Sequence, residues 1–254
     1  MLDDEQLLRY NRQILLPSWD ITAQTRLADA SVLVVGLGGL GCPLAQQLVL
    51  AGTGRLVLAD FDTVELSNLQ RQMLHHDADI GRFKVESARD SLRALRPDVV
   101  IETLPQRMDE ALLQEWLGKV DAVADCCDNF ATRELISRVS WHAGKPVISA
   151  AAIGWQGQLA VFDPRQPHSA CYRCLYPESD DAALTCSDSG VMATTVAVMG
   201  SWQAQEALKV LTGTGETLCG QLLLWDGRVN DIRRVRTPRD PACPVCSVQG
   251  VGDT

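Results

Sequence analysis

The pattern that most constrains this chain is a series of short apolar runs separated by amphipathic stretches. Residues 32–35, 56–59, 99–101, 122–124 and 147–148 are continuously apolar and of strand length. Residues 41–51, 84–95, 109–117 and 131–143 between them read as helices. Strands with no polar face must be covered on both sides, and helices between strands supply that cover in a parallel sheet. The expected class is therefore α/β, a doubly wound, Rossmann-like sheet. Two helical segments precede it, one capped near Asp3 and Asp4 and one over about 20–28. After Ala150 the rhythm changes. Residues 157–162 alternate like a strand with one solvated face, and residues 191–211 read as a long buried helix. Two runs flanking Asp226-Gly227 carry a hairpin signal, so antiparallel strands are expected at the C-terminal end. No linker or repeat divides the chain, and we expect one domain over 1–254.

Gly36-Leu37-Gly38-Gly39-Leu40-Gly41 follows the first strand and opens a helix. Gly36, Gly38, Gly39 and Gly41 fit a turn that lets backbone amides at a helix N-terminus approach phosphate. Asp60 lies at the end of the second strand, where a carboxylate can accept from ribose hydroxyls. Strand, turn, helix and acid in register favour nucleotide binding over a turn that merely packs closely, but the glycine pattern does not say which nucleotide, and an NAD-dependent oxidoreductase is its default reading. The next segment bears on which nucleotide binds, the alternative for it being a solvated loop and, for Lys84, a surface helix start. Asn68 and Arg71, with Lys84 further on, put two cations after the acid, which suits a triphosphate better than a nicotinamide. Asp128 follows the strand at Cys126-Cys127 and precedes a helix. It is placed either to hold Mg²⁺ on the phosphates or to cap that helix.

The formal net charge of −9 excludes general binding to nucleic acid or anionic membrane, which needs a basic face. No signal-peptide pattern and no run of 18 apolar residues is present, so a cytoplasmic protein without membrane spans is expected. There are nine cysteines. Cys171-x-x-Cys174 and Cys243-x-x-Cys246 have metal-ligand spacing, and four thiolates suit a closed, structural zinc site. Cys186 lies in a polar stretch, either as a reactive thiol or as a spare loop residue. His75, His76, His142 and His168 are scattered, and a structural or exposed role is expected for each.

These pieces together resemble the MoeB/ThiF adenylyltransferases, relatives of the ubiquitin-activating enzymes. The matching stretches are Arg9-Tyr10-Asn11-Arg12-Gln13, Val35 to Gly41, Asp60-Phe61-Asp62 and Leu66 to Gln72. Lys84, Asp125-Cys126-Cys127-Asp128-Asn129 and the two cysteine pairs follow in family order. The resemblance implies an enzyme that uses ATP to adenylate the C-terminal glycine of a ubiquitin-like sulfur carrier ending in Gly-Gly, releasing pyrophosphate. It implies that the glycine turn holds phosphates, Asp60 the ribose, and Asn68, Arg71 and Lys84 ribose and phosphates, with Asp128 serving Mg²⁺. It also implies a homodimer in which Arg12 reaches the partner's site, a nucleotide-binding half over 31–150, and a carrier-binding and zinc half over 151–254. Cys186 resembles the sulfur-transfer cysteine of the thiazole-pathway members, though the molybdopterin-pathway members carry one there too. Thr185-Cys186 and the Asp60 loop look more like the molybdopterin branch; residues 171–177 and Trp225-Asp226-Gly227 look more like the thiazole branch. The balance favours the former. A non-catalytic partner subunit is disfavoured by the full cation and Mg²⁺ set. Few residues follow Cys246, so no rhodanese-like domain is expected and sulfur is expected from a separate donor protein.

Overall fold

A computed structural model describes residues 2–177 and 190–247. Eight strands form one sheet in the order β3-β2-β1-β4-β5-β6-β7-β8. The parallel part comprises β1 (Ser31–Val35), β2 (Arg55–Ala59), β3 (Val100–Leu104), β4 (Ala122–Asp125) and β5 (Val147–Ile153). β6 (Gln156–Phe162), β7 (Gln221–Asp226) and β8 (Asp231–Arg236) continue it antiparallel. β1 and β4 are neighbours in the sheet but distant in sequence. The strand order therefore reverses between them, and a crevice opens at their carboxyl ends.

Helices cover both faces of the parallel part, as apolar strands require. On one face α4 (Gly41–Ala51), α5 (Lys84–Leu95) and the long α9 (Ala193–Thr212) bury Leu44, Leu48, Val85, Leu92 and Met199 against Val32, Val34, Leu56 and Leu58. On the other, α6 (Glu110–Leu117) and α7 (Phe130–His142) bury Leu113, Trp116 and Ile136 against Leu33, Val57 and Val123. Each fully buried Leu or Ile side chain contributes roughly 1.5–3 kcal/mol. Gly39, Gly157 and Gly200 let α9 lie close: a Cβ on any of them would meet Val196, Met199 or Leu40 and Pro43 at under 3.0 Å.

The N-terminal helices are α1 (Asp4–Arg9), α2 (Asn11–Ile14) and α3 (Asp20–Asp29). Asp3 caps α1 in a reciprocal capping box with Gln6. The short α2 is an element the sequence does not announce. α3 packs Leu27 and Ala23 near Leu208 and Leu211 of α9. One expectation changes: β6 is not solvated along one face, because its last four residues are all buried. α9 covers one side of it and Tyr172 of the short α8 (Tyr172–Leu175) the other, with Phe162 against the Tyr172 ring. Among the described residues, no helix is long and apolar enough to cross a membrane.

Candidate active site

The glycine turn forms because β1 must pass directly into α4 at the crevice. Gly36 has φ +94°, and a Cβ there would meet the Cys126 carbonyl oxygen at 2.8 Å. A Cβ on Gly41 would lie 1.9 Å from the Gly36 carbonyl oxygen. Backbone cannot yield as a side-chain tip can, so these two positions require glycine. At Gly38 the nearest atom to a Cβ is the Gln72 amide nitrogen, 3.6 Å away, which leaves the turn open toward the crevice.

That crevice is a cleft of about 510 Å³. The turn contributes Gly36, Gly38 and Gly39 to its wall, and Asp60, Asn68, Arg71, Lys84 and Asp128 also line it. Residues separated by up to 92 positions in sequence thus face one space, which is the arrangement the sequence predicts. Gly41, by contrast, is buried behind the turn and packs it.

Each side chain is held by its own element. Asp60 follows β2 and accepts from the Leu37 amide at 2.7 Å and the Asp62 amide at 2.9 Å. Burial pushes its carboxyl pKa up, while Lys84 and those two amides pull the other way without cancelling the effect. Two carboxylate oxygens carry about four acceptor positions, so capacity remains for hydroxyl donors. Lys84 is the first residue of α5, yet only 6% exposed, and its Nζ meets Asp62 Oδ2 at 2.9 Å. Arg71 is braced by the Ser67 carbonyl at 2.9 Å, and Asn68 closes a 3-10 turn over Leu66–Asn68 with Glu65. Arg71 follows this short turn, and it and Lys84, at the start of α5, line the same cleft as the glycine turn.

Asp128 is not the cap of α7. Asn129 performs that role, its Oδ1 accepting from the Thr132 amide at 2.9 Å. Asp128 is consequently exposed, and no cation pairs with it in any salt bridge among the described residues. A carboxylate facing a cleft without a cation fits a divalent ion on bound phosphate. Behind it lies a buried polar knot that sequence reasoning missed. Arg133, on the first turn of α7, donates to Asp125 Oδ2 (3.4 Å), Ser149 Oγ (3.3 Å) and the Cys127 carbonyl. Ser149 Oγ donates to Asp125 Oδ2 at 2.6 Å, and Gln203 Nε2 bonds the Asp125 and Ile148 carbonyls at 2.8 Å each. Burial draws the Arg133 pKa down, but Asp125 together with Cys127, Tyr172 and Tyr176 outweighs this, and the guanidinium stays charged. The only sequence signal was an Arg and an Asp eight residues apart across a strand-to-helix turn.

Cys126 and Cys127 are buried at the end of this strand, and burial raises both thiols well above their ordinary pKa. Cys186 lies outside the described residues. Arg12 is exposed on α2 and does not line the cleft.

The two Cys-x-x-Cys pairs do meet. The Sγ atoms of Cys171, Cys174, Cys243 and Cys246 all lie within 4.8 Å of one another. Individual separations are 3.8 Å (Cys171–Cys174), 3.5 Å (Cys171–Cys243) and 3.3 Å (Cys174–Cys246). Zinc–thiolate bonds of about 2.3 Å place tetrahedral sulfurs roughly 3.8 Å apart, so the cluster has the size zinc needs. The Asp240 amide donates to Cys174 Sγ at 3.4 Å, an outer bond typical of such sites. None of the four lines the cleft, which fits a structural rather than catalytic metal.

The model of the ThiF family matches residues 10–245. The chain belongs to the ThiF family. It is similar to the molybdopterin-synthase adenylyltransferase of Escherichia coli (strain K12), 46% identical over 245 residues covering 96% of this chain and 98% of the relative. It is also 43% identical over 245 residues to the sulfur carrier protein ThiS adenylyltransferase of the same organism, covering 96% and 97%. Against the adenylyltransferase and sulfurtransferase MOCS3 of Mus musculus the identity is 43% over 98% of this chain but 54% of that protein. Among solved structures, E. coli MccB crystallised with AMPCPP and MccA superposes with a TM-score of 0.82 at 21% identity, covering 96% of this chain and 76% of that one. At that identity the likeness is one of fold. The family match and these relatives set aside an NAD-dependent oxidoreductase.

Proposed function

We propose that this chain is an adenylyltransferase that activates the C-terminal carboxylate of a ubiquitin-like sulfur carrier with ATP. The observation that carries the reading is the convergence of the glycine turn, Asp60, Arg71, Lys84 and Asp128 on one cleft. The carrier carboxylate is ionised at neutral pH, with a reference pKa of about 3.5, so its attack on the α-phosphate needs no base. A bond forms between the carboxylate oxygen and the α-phosphorus. The bond from that phosphorus to the β-phosphate bridge breaks, and pyrophosphate leaves with the electron pair. The obstacle is electrostatic: an anion must approach a polyanion, and charge builds on the departing group. Arg71 and Lys84, fixed by Ser67 and Asp62 before substrate arrives, offset that charge without reorganising. Asp60 would hold the ribose and Asn68 the ribose or phosphates. Mg²⁺ held at Asp128 would neutralise phosphate charge. Zinc at Cys171, Cys174, Cys243 and Cys246 would fasten the segment after β8 to the segment after β6.

The homodimer reading has its support in surface chemistry. Leu8, Leu15, Leu16 and Ile21 surround the Arg12 region and are 52–72% exposed. An apolar surface beside an exposed Arg suits a second copy of this chain, with Arg12 completing the partner's cleft. A carrier of the molybdopterin-synthase type is the first choice and a ThiS-type carrier the second, the latter favoured by the near-equal identity to the ThiS adenylyltransferase. Sulfur would come from a separate donor, and Cys186 is the candidate to receive it.

ATP–pyrophosphate exchange with each carrier in turn tests this. Exchange above background with one carrier is expected, and exchange with neither, in metal-replete protein, refutes the assignment. Mixing Arg12→Ala with Asp128→Ala protein should restore part of the exchange lost by each alone. No recovery after verified subunit exchange refutes the shared site.

A further inference from the structure

His75 is 5% exposed and stands directly behind the glycine turn, in the same loop as Arg71. Its Nε2 lies 3.0 Å from the Leu37 carbonyl oxygen, and its Nδ1 lies 2.9 Å from Ser87 Oγ on α5. The carbonyl can only accept, so Nε2 carries the proton, a tautomer assigned from the hydrogen-bond network. Cys42 Sγ approaches the same carbonyl at 3.2 Å, and burial pushes its thiol up to about 12, which keeps it a donor. The Leu37 amide on the other side is held by Asp60 Oδ2 at 2.7 Å.

The carbonyl of Leu37 and the amide of Gly38 belong to one peptide unit. In a trans peptide they point in opposite directions, and no cis bond occurs among the described residues. With its oxygen drawn back toward His75 and Cys42, this unit must aim the Gly38 N–H forward. Gly38 lines the cleft, and its N–H makes no backbone hydrogen bond among the described residues. Nothing intrinsic keeps the unit in that orientation. Glycine accepts φ of either sign, so a rotation about ψ of Leu37 and φ of Gly38 would turn the oxygen toward the phosphates. A carbonyl there would repel the anion that the amide attracts.

We infer that His75 is a positioning residue that holds the Leu37–Gly38 peptide with its N–H turned toward the nucleotide phosphates. The inference rests on the reading of the cleft as an ATP site. It also gives the cation loop a second task. With the ring proton on Nε2, the one hydroxyl proton of Ser87 serves Nδ1; Ser87 Oγ also lies 2.9 Å from Asp79 Oδ2, and Arg82 bonds Asp79 in turn. The imidazole is therefore fixed from α5 and from the 3-10 turn over Asp77–Asp79 while it grips the glycine turn. Lys84 and Arg71 thus share one brace with the amide that would meet the same phosphates.

The test separates the two ring nitrogens. Glutamine places its amide nitrogen near the position of Nε2, whereas asparagine reaches only that of Nδ1. ATP KM and kcat in pyrophosphate exchange, ATP Kd by calorimetry, and Tm are measured for wild type, His75→Gln and His75→Asn. The Asn variant should raise KM and Kd for ATP about 10-fold or more with a smaller change in kcat. The Gln variant should recover to within about 3-fold of wild type at a Tm similar to that of Asn. His75→Leu, which fills the space without a donor, replaces Asn if that variant does not fold, and the same loss is expected. Equal ATP affinity in wild type and the donor-free variant overturns the inference, as does equal loss in Gln and the donor-free variant. A wild-type protein that binds no ATP refutes the nucleotide assignment itself, a result distinguishable from the other two.

Discussion

Arg133→Met should be among the most damaging single changes at the back wall of the cleft. The side chain is 8% exposed and Asp125, its partner, 1%. Methionine fills much of the arginine stem's volume, so the loss is mainly electrostatic. It strands a buried carboxylate without its cation and removes three donor contacts, to Asp125, Ser149 and Cys127. Removing one partner of a buried ion pair costs about 3–5 kcal/mol. Asp125 keeps the Ser149 hydroxyl at 2.6 Å and the Cys127 amide at 3.1 Å, which places the expected loss at the lower end, about 3 kcal/mol. At roughly 2–4 °C per kcal/mol for a chain of this size, Tm should fall by about 6–12 °C. Urea unfolding at fixed zinc concentration should show a lower midpoint at unchanged slope. Adding Asp125→Asn should recover part of the loss, because no unpaired charge then remains. The Cys127 carbonyl lies one residue before Asp128, so exchange activity should also fall in protein that is still folded. A loss under about 1 kcal/mol, or strictly additive single and double variants, would refute this account of the knot.

Other outcomes follow from the same geometry. Elemental analysis should find one zinc per chain, and Cys243→Ser or strong chelation should lower Tm while leaving ATP affinity within about 3-fold, since the cluster is outside the cleft. Burial holds the His75 pKa below its ordinary value of 6.5, with Lys84 and His76 acting in the same sense and the Leu37 carbonyl and Asp79 opposing. As pH falls below about 6.5 the unfolded chain therefore takes up the proton first, and stability declines with a slope of up to about 1.4 kcal/mol per pH unit. Denaturant midpoints between pH 7 and 5 should flatten in His75→Gln relative to wild type, and parallel curves would refute it. Gly41→Ala should abolish ATP binding or folding, because its Cβ would lie 1.9 Å from backbone oxygen; calorimetry and circular dichroism distinguish the two.

The parallel sheet was legible because its cause is local. Apolar runs such as residues 32–35 and 56–59 have no polar face, and α4 and α5 fall where the sequence places them, at Gly41–Ala51 and Lys84–Leu95. Lys84 opens α5 yet is buried, and its partner Asp62, 22 residues away, is not marked by anything near it in sequence. Asp128 offered two roles, and only the position of Asn129 over the Thr132 amide assigned the cap. His75 looked like one of four scattered histidines, since nothing near it in sequence marks the Leu37 carbonyl 38 positions away. β6 looked half-solvated because α9, which covers it, starts 31 residues after β6 ends.

The sequence by itself determined the glycine turn, the acid after β2, the cations and the two cysteine pairs, because each depends on residue type and short spacing. Tertiary structure alone decided that these meet in one cleft, that four thiols close to within 4.8 Å, and that Arg133 and His75 stand behind the site. Hydrogen bonds and ion pairs act over about 3 Å of space, and distance along the chain does not enter them.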